Sequence, residues 1–156
     1  DWAADRLVPD CVRAWLGGPP IVLRLPAAVR PWQHVLDPLG GYLLLARLLA
    51  TGAPGVAEAW NFGPDDADSK PVEWVVRQLC ARWGEGAGYT VDSDGVPHET
   101  QELRLDCTKA RARLGWRQRW PIDVTLDKVI EWTRAYRARE DVRAVALRQI
   151  EEYLRA

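Results

Sequence analysis

Methionine is absent from all 156 positions, the first included, so the chain does not open as a newly made protein does. It starts at Asp1 in what reads as the middle of a domain, and the expectation is a fragment of a longer protein. An apolar targeting run with a cleavage region is also missing, so secretory processing does not explain the lost initiator. Neither charge is in excess. With 21 basic and 22 acidic residues the formal net charge is −1, which leaves no overall field to hold nucleic acid or an anionic membrane. The longest apolar stretch, from Tyr42 to Ala50, is broken by Arg47 and falls far short of the roughly 20 residues a membrane span needs. Nucleic acid and membrane are therefore not expected partners. Cysteine is scarce, and Cys11, Cys80 and Cys107 show no metal-ligand spacing. They read as buried free thiols in a reducing cytoplasm, with no metal site.

What remains is one domain's worth of chain, 47% apolar and long enough to bury a core. Periodicity predicts a helix over 6–16, stopped by Gly17 and Gly18, and a strand at about 21–25. Asp37 suits a helix N-cap and Pro38 a first helical residue, opening a helix through Leu49. Gly40 and Gly41 cost propensity there, which points to a close approach by another backbone or a ligand. A short strand is predicted over 57–62, then a helix from Pro71 with Val72, Val75, Val76, Leu79, Cys80 and Trp83 on one stripe. Extended pieces fit 89–91 and 102–105, and Thr108 would cap a brief helix to Leu114. Two last helices carry Ile122, Leu126, Val129, Ile130 and Tyr136, and then Val142, Val145, Ile150 and Leu154. The class is α+β and helix-rich. Nine tryptophans read mainly as packing, with Trp32 the expected exception.

The run RPWQHV at 30–35 is chemically the densest part of the chain. Arg30 offers several donors in a rigid plane that suits a phosphate or diphosphate, and the apolar PIVLRLP at 20–26 would bring it to a strand edge or loop mouth. The same residues also suit an arginine stacked on Trp32, with His34 half-buried as a hydrogen-bonding group. The basic run from Lys109 to Arg119 divides between helix faces and reads as solvated. Asp106 and Lys109 suit a cap and a surface ion pair, and Asp65 and Asp66 a solvated loop.

RPWQHVLDPLGGYLLLA at 30–46, NFGPD at 61–65, PHET at 97–100, LDCTKA at 105–110 and LGW at 114–116, in this order and spacing, resemble the C-terminal half of CDP-glucose 4,6-dehydratases. DWAADRLVPD at the start resembles the same family's crossover into its substrate lobe, so the likeness covers nearly the whole chain. It implies the substrate-binding lobe of an extended short-chain dehydrogenase/reductase, and residues 1–156 are expected to form a single nucleotide-sugar-binding domain. In such enzymes one tightly held NAD oxidises and re-reduces the sugar, while the NAD-binding Rossmann half supplies a Gly-rich turn and a tyrosine with a lysine four residues on.

Neither feature occurs here. GEGAG at 84–88 follows a helix and reads as its stop, and Tyr42, Tyr89 and Tyr136 are followed at that spacing by Ala46, Ser93 and Glu140. The expectation is a chain with no catalytic residue and no NAD of its own, inactive alone. By resemblance, Arg30 grips the diphosphate of CDP-glucose, Arg6 and Leu7 lie along the nucleotide, and Arg24 and Pro26 border the base pocket. His98 and Glu99 would approach the diphosphate or ribose. Leu25 stands where the family usually shows Asn, which puts cytosine recognition in question. The expected partners are the nucleotide sugar and either the missing N-terminal half or a second copy, met through an exposed sheet edge at 57–62. A noncatalytic assembly domain, or the same lobe of another nucleotide-sugar epimerase or dehydratase, remains open beside this reading.

Overall fold

The computed structural model describes residues 2–3, 5–92 and 100–156. Helix α1 (Leu7–Trp15) leads into strand β1 (Ile21–Leu23), and β2 (Val29–Pro31) runs directly toward helix α2 (Leu36–Ala50). A single 3-10 turn at Asp66–Asp68 precedes β3 (Ser69–Pro71), α3 (Val72–Trp83) and β4 (Tyr89–Val91). Three helices complete the chain: α4 (Thr108–Leu114), α5 (Ile122–Arg137) and α6 (Val142–Arg155). The helix-rich α+β class is as expected.

The strands form two small sheets. β1 pairs in parallel with β4, Ile21 opposite Tyr89, while β2 and β3 are antiparallel with Arg30 directly opposite Lys70. Val29 extends this second sheet by bridging to Glu102. The predicted strand over 57–62 does not form, so the sheet edge expected there is absent. Its residues are used for side-chain work. Trp60 Nε1 donates to the Val56 carbonyl, and the Phe62 ring enters a core.

The main core joins α1, β1, α3 and α5 through Cys11, Leu23, Val75, Val76, Leu79 and Leu126. The α3 stripe is nearly as predicted, with Val72 partly rather than fully buried. Removing side chains of this size from water contributes about 1.5–3 kcal/mol each, which is why periodicity located this helix so well. A smaller core gathers Phe62, Cys107, Ala110 and Trp116 under Leu44 and Leu45 of α2. All three cysteines are buried and free, and burial pushes the Cys11 thiol up to about 12. Gly17 takes a positive φ of 91°, and the Gly18 N–H returns to the Arg13 carbonyl, closing α1 where predicted.

Helix α2 departs from expectation at its start. Its N-cap is Val35, and the Leu36 N–H is taken by Nδ1 of His34. Asp37 is the second helical residue and is fully buried: Oδ1 accepts from the Arg119 N–H at 2.8 Å and from the Tyr153 hydroxyl at 3.1 Å. An N-cap carboxylate normally serves its own helix, whereas this one ties α2 to the last helix. Helix α6 accordingly buries Val145, Gln149 and Tyr153, leaving Ile150 and Leu154 exposed against the apolar-spacing prediction. Buried polar partners outweighed hydrophobicity there. Gln149 donates to the Lys128 carbonyl and to Glu131, as Tyr153 does to Asp37. Tyr136, also predicted inward, is 44% exposed and stacks on Trp132.

The two α2 glycines are explained by side chains rather than by backbone or ligand. A Cβ at Gly41 would lie 2.4 Å from the Phe62 ring, and one at Gly40 would lie 3.1 Å from the Tyr153 hydroxyl oxygen. The opposite side of α2 exposes Leu39, Tyr42, Leu43 and Leu49, Leu43 by 73%. Exposed apolar surface therefore exists, but on a helix instead of a sheet edge.

Candidate functional site

Arg30 occupies the middle of β2, half-buried, and its Nη1 donates to the Val29 carbonyl at 2.9 Å. Directly opposite residues of an antiparallel pair share a face, so Lys70 of β3 stands beside it. Lys70 was not marked by any motif. Its ammonium lies 5.3 Å from the centre of the Trp74 ring, a cation–π contact that orients the side chain. Its carbonyl accepts from Trp32 Nε1 at 2.8 Å, which pins the two strands together.

Trp32 is thus a structural residue, contrary to the expected exception. It packs against the main core, while Gln33 Nε2 donates to the Phe62 carbonyl at 2.9 Å. His34 packs edge-on against Trp120, and burial, reinforced by nearby Lys128, lowers its pKa to about 4. It is neutral at pH 7. Because Nδ1 accepts from Leu36, its proton is assigned to Nε2. Trp32 and His34 line a largely apolar cavity of about 520 Å³ with Val8, Val12, Val129 and Trp132. The run RPWQHV therefore turns only its first residue toward the charged ledge.

Of the remaining expected site residues, Arg6, Leu7 and Arg24 lie where the start of α1 meets the end of β1, and Pro26 lies in the loop before β2. Arg6 is the extended residue before α1, its carbonyl accepting the Asp10 N–H at 2.9 Å, and Leu7 packs on the main core. Arg24 follows β1, is well exposed, and lies 3.8 Å from the carboxylate of Asp5, which brings the α1 start beside the β1 end. The Pro26 carbonyl accepts the Glu73 N–H and that of Ala28 the Val72 N–H, each at 2.9 Å. These bonds satisfy the first amides of α3, so that helix start is committed to the loop and does not offer a phosphate cradle. His98 and Glu99 lie outside the described residues.

Gly84 of GEGAG caps the C-terminus of α3 with φ 76°, its N–H bonded to the Cys80 carbonyl. A helix C-terminus presents carbonyls and partial negative charge, the wrong polarity for a pyrophosphate. These residues do not fit the pyrophosphate of NAD.

The basic run of α4 is occupied by intramolecular contacts. Glu58 pairs with both Lys109 and Arg113, which lie over the Trp60 ring, and these partners hold its carboxyl below the usual range. Lys109 thus pairs with Glu58, while Asp106 accepts the Thr108 N–H at 2.9 Å. Asp106, not Thr108, supplies the capping side chain. Arg111 reaches Asp65 at 2.5 Å, so that loop carboxylate is paired rather than merely solvated.

Comparison with known proteins agrees with the motif resemblance. The chain aligns over all 156 residues, at 42% identity, with a CDP-glucose 4,6-dehydratase of Salmonella typhimurium, of which it covers 44%, the C-terminal part. No protein-family model matches. Among solved structures, a UDP-N-acetylglucosamine 4-epimerase from Bacillus cereus superposes with a TM-score of 0.65 at 14% identity, over 85% of this chain and 44% of that one. That likeness concerns the fold alone. The chain spans less than half the length of either protein.

Proposed function

We propose, from its kinship over all 156 residues with the C-terminal part of a CDP-glucose 4,6-dehydratase, that this chain is the nucleotide-sugar-binding portion of an NAD-dependent enzyme of that activity. The match over all 156 residues at 42% identity carries the reading. The parent reaction would form CDP-4-keto-6-deoxy-glucose, with NAD and the acid–base residues supplied by chain outside this sequence. In this reading Arg30 binds the diphosphate as a planar, permanently charged donor. Arg6 and Arg24 flank the nucleotide where α1 meets β1, Leu7 and Pro26 shape that junction, and His98 and Glu99 complete the wall.

The exposed apolar face of α2 supports a further part of the proposal, that Leu39, Tyr42 and Leu43 pack against the rest of the parent enzyme or a second copy. Covering them would remove three of that helix's exposed large apolar side chains from water.

Calorimetric titration of the 156-residue chain with CDP tests the binding role. Arg30→Ala should weaken CDP binding by about tenfold or more, the loss of a charge-assisted phosphate contact. Unchanged affinity would remove Arg30 from the site. Incubation with CDP-glucose and NAD should yield no 4-keto-6-deoxy product, and turnover by this chain alone would overturn the assignment of catalysis elsewhere.

A further inference from the structure

We infer that Lys70 is a second anion-binding residue, acting with Arg30 across the β2–β3 pair to hold the phosphates of the nucleotide sugar. This rests on the nucleotide-sugar reading above and names a residue that no motif marked. The register places Lys70 directly opposite Arg30, so two permanent or near-permanent cations occupy neighbouring positions on one face of a two-stranded sheet. Like charges opposite one another destabilise a strand pair unless an anion lies near both.

Among the described residues no carboxylate pairs with Lys70. Nearby acids are engaged elsewhere: Glu102 and Asp66 with Arg104, Glu73 with the Tyr89 hydroxyl at 2.8 Å, and Asp68 with Gln118 at 2.8 Å. The ammonium is held over the Trp74 ring, and the backbone beneath it is fixed by the Trp32 indole. An ordered lysine without a described carboxylate partner, beside an arginine, is a preorganised site for a di-anionic group. The ligand class that fits is a nucleoside diphosphate or its sugar ester, whose adjacent phosphates can meet a fork and a point charge together.

Calorimetry with CDP on the 156-residue chain and its variants decides the matter. Lys70→Gln is expected to lower CDP affinity about tenfold. It should also flatten the fall of affinity with added NaCl, because one screened charge has gone. Lys70→Arg should restore both. The melting temperature of Lys70→Gln without ligand should equal that of the parent, since no ion pair of Lys70 is lost among the described residues. A residue needed only for packing would lower it. If the parent and Lys70→Gln bind CDP equally while Arg30→Ala does not, Lys70 is excluded and the nucleotide-sugar reading stands. Loss of CDP binding that Lys70→Arg fails to restore overturns the charge role. Should the parent chain itself not bind CDP, the nucleotide-sugar reading falls and Lys70 with it.

Discussion

The two ends of the segment from Arg30 to Asp37 are seven residues apart, yet they occupy opposite electrostatic regimes. At one end half-buried Arg30 stands directly across the β2–β3 pair from Lys70, two like charges on one face. At the other, Asp37 is fully buried, holds the Arg119 N–H and the Tyr153 hydroxyl, and has a second carboxylate oxygen without a hydrogen-bond partner. In the proposed reading the Arg30 end keeps its charge for an anion. The buried end uses one carboxylate to fix α2 against α6 and the 116–120 segment. On the proposed reading, polar chemistry is divided between recognition and architecture, and single substitutions should affect one without the other.

The sharpest break of this division is Asp37→Ala. It orphans a part-buried N–H and a buried hydroxyl, the latter costing about 1–3 kcal/mol, and a net loss of about 1–2 kcal/mol is expected because the buried carboxylate's own desolvation cost is removed as well. Urea denaturation measures the loss, and CDP affinity of the folded protein should be unchanged. A stability equal to the parent's would show that Asp37 is no tie between α2 and α6. Burial also raises the Asp37 pKa above its ordinary 3.8. The folded state then binds its proton more tightly than the unfolded one, so this contribution is greatest below pH 3.8 and is lost as pH rises through the folded value.

Much of this was legible in the sequence, and the failures share a cause. The α3 stripe, the Gly17 and Gly84 stops and the buried cysteines follow from local periodicity and backbone preference, which a single chain displays openly. Asp37, Tyr153, Gln149 and Lys70 were missed because their roles depend on partners 18 to 116 residues away. Asp37 looked like a cap since Asp before Pro ordinarily is one, and the missing signal was the Tyr153 hydroxyl reaching back from α6. Lys70 could have been found from the sequence only by pairing Ser69–Pro71 with Val29–Pro31, and nothing in these three-residue strands signals a register. The supposed strand at 57–62 has strand-like residues, but Trp60 and Phe62 are consumed by packing contacts.

A smaller test acts on the packing that carries the buried end. Gly41→Ala would set a Cβ 2.4 Å from the Phe62 ring, so the ring or α2 must move. Overpacking of this kind costs about 1–3 kcal/mol, against a helix-propensity gain of about 1 kcal/mol from replacing glycine. A net loss of about 1 kcal/mol is expected by denaturation, with CDP binding unaltered. A gain in stability would mean that Phe62 swings aside freely and that the small core is not rigid.

His34 lies between the two ends and should reveal the boundary through pH. Burial and the repulsion of Lys128 lower its pKa from 6.5 to about 4, so the unfolded chain takes up a proton in that interval more readily than the folded one. The His34 contribution is fully present above pH 6.5 and is lost as pH falls through about 4. Asp37 contributes with the opposite sign, so the parent's profile mixes the two slopes. His34→Asn keeps an oxygen acceptor for the Leu36 N–H and removes the titration, while the lost ring contact with Trp120 shifts stability by an amount that does not vary with pH. Parent minus variant stability, measured by urea denaturation at successive pH values, should therefore decrease from pH 6.5 to 4 and level off below. A flat difference would place the imidazole in contact with water, and the change from charged ledge to buried anchor would then occur after His34 rather than before it.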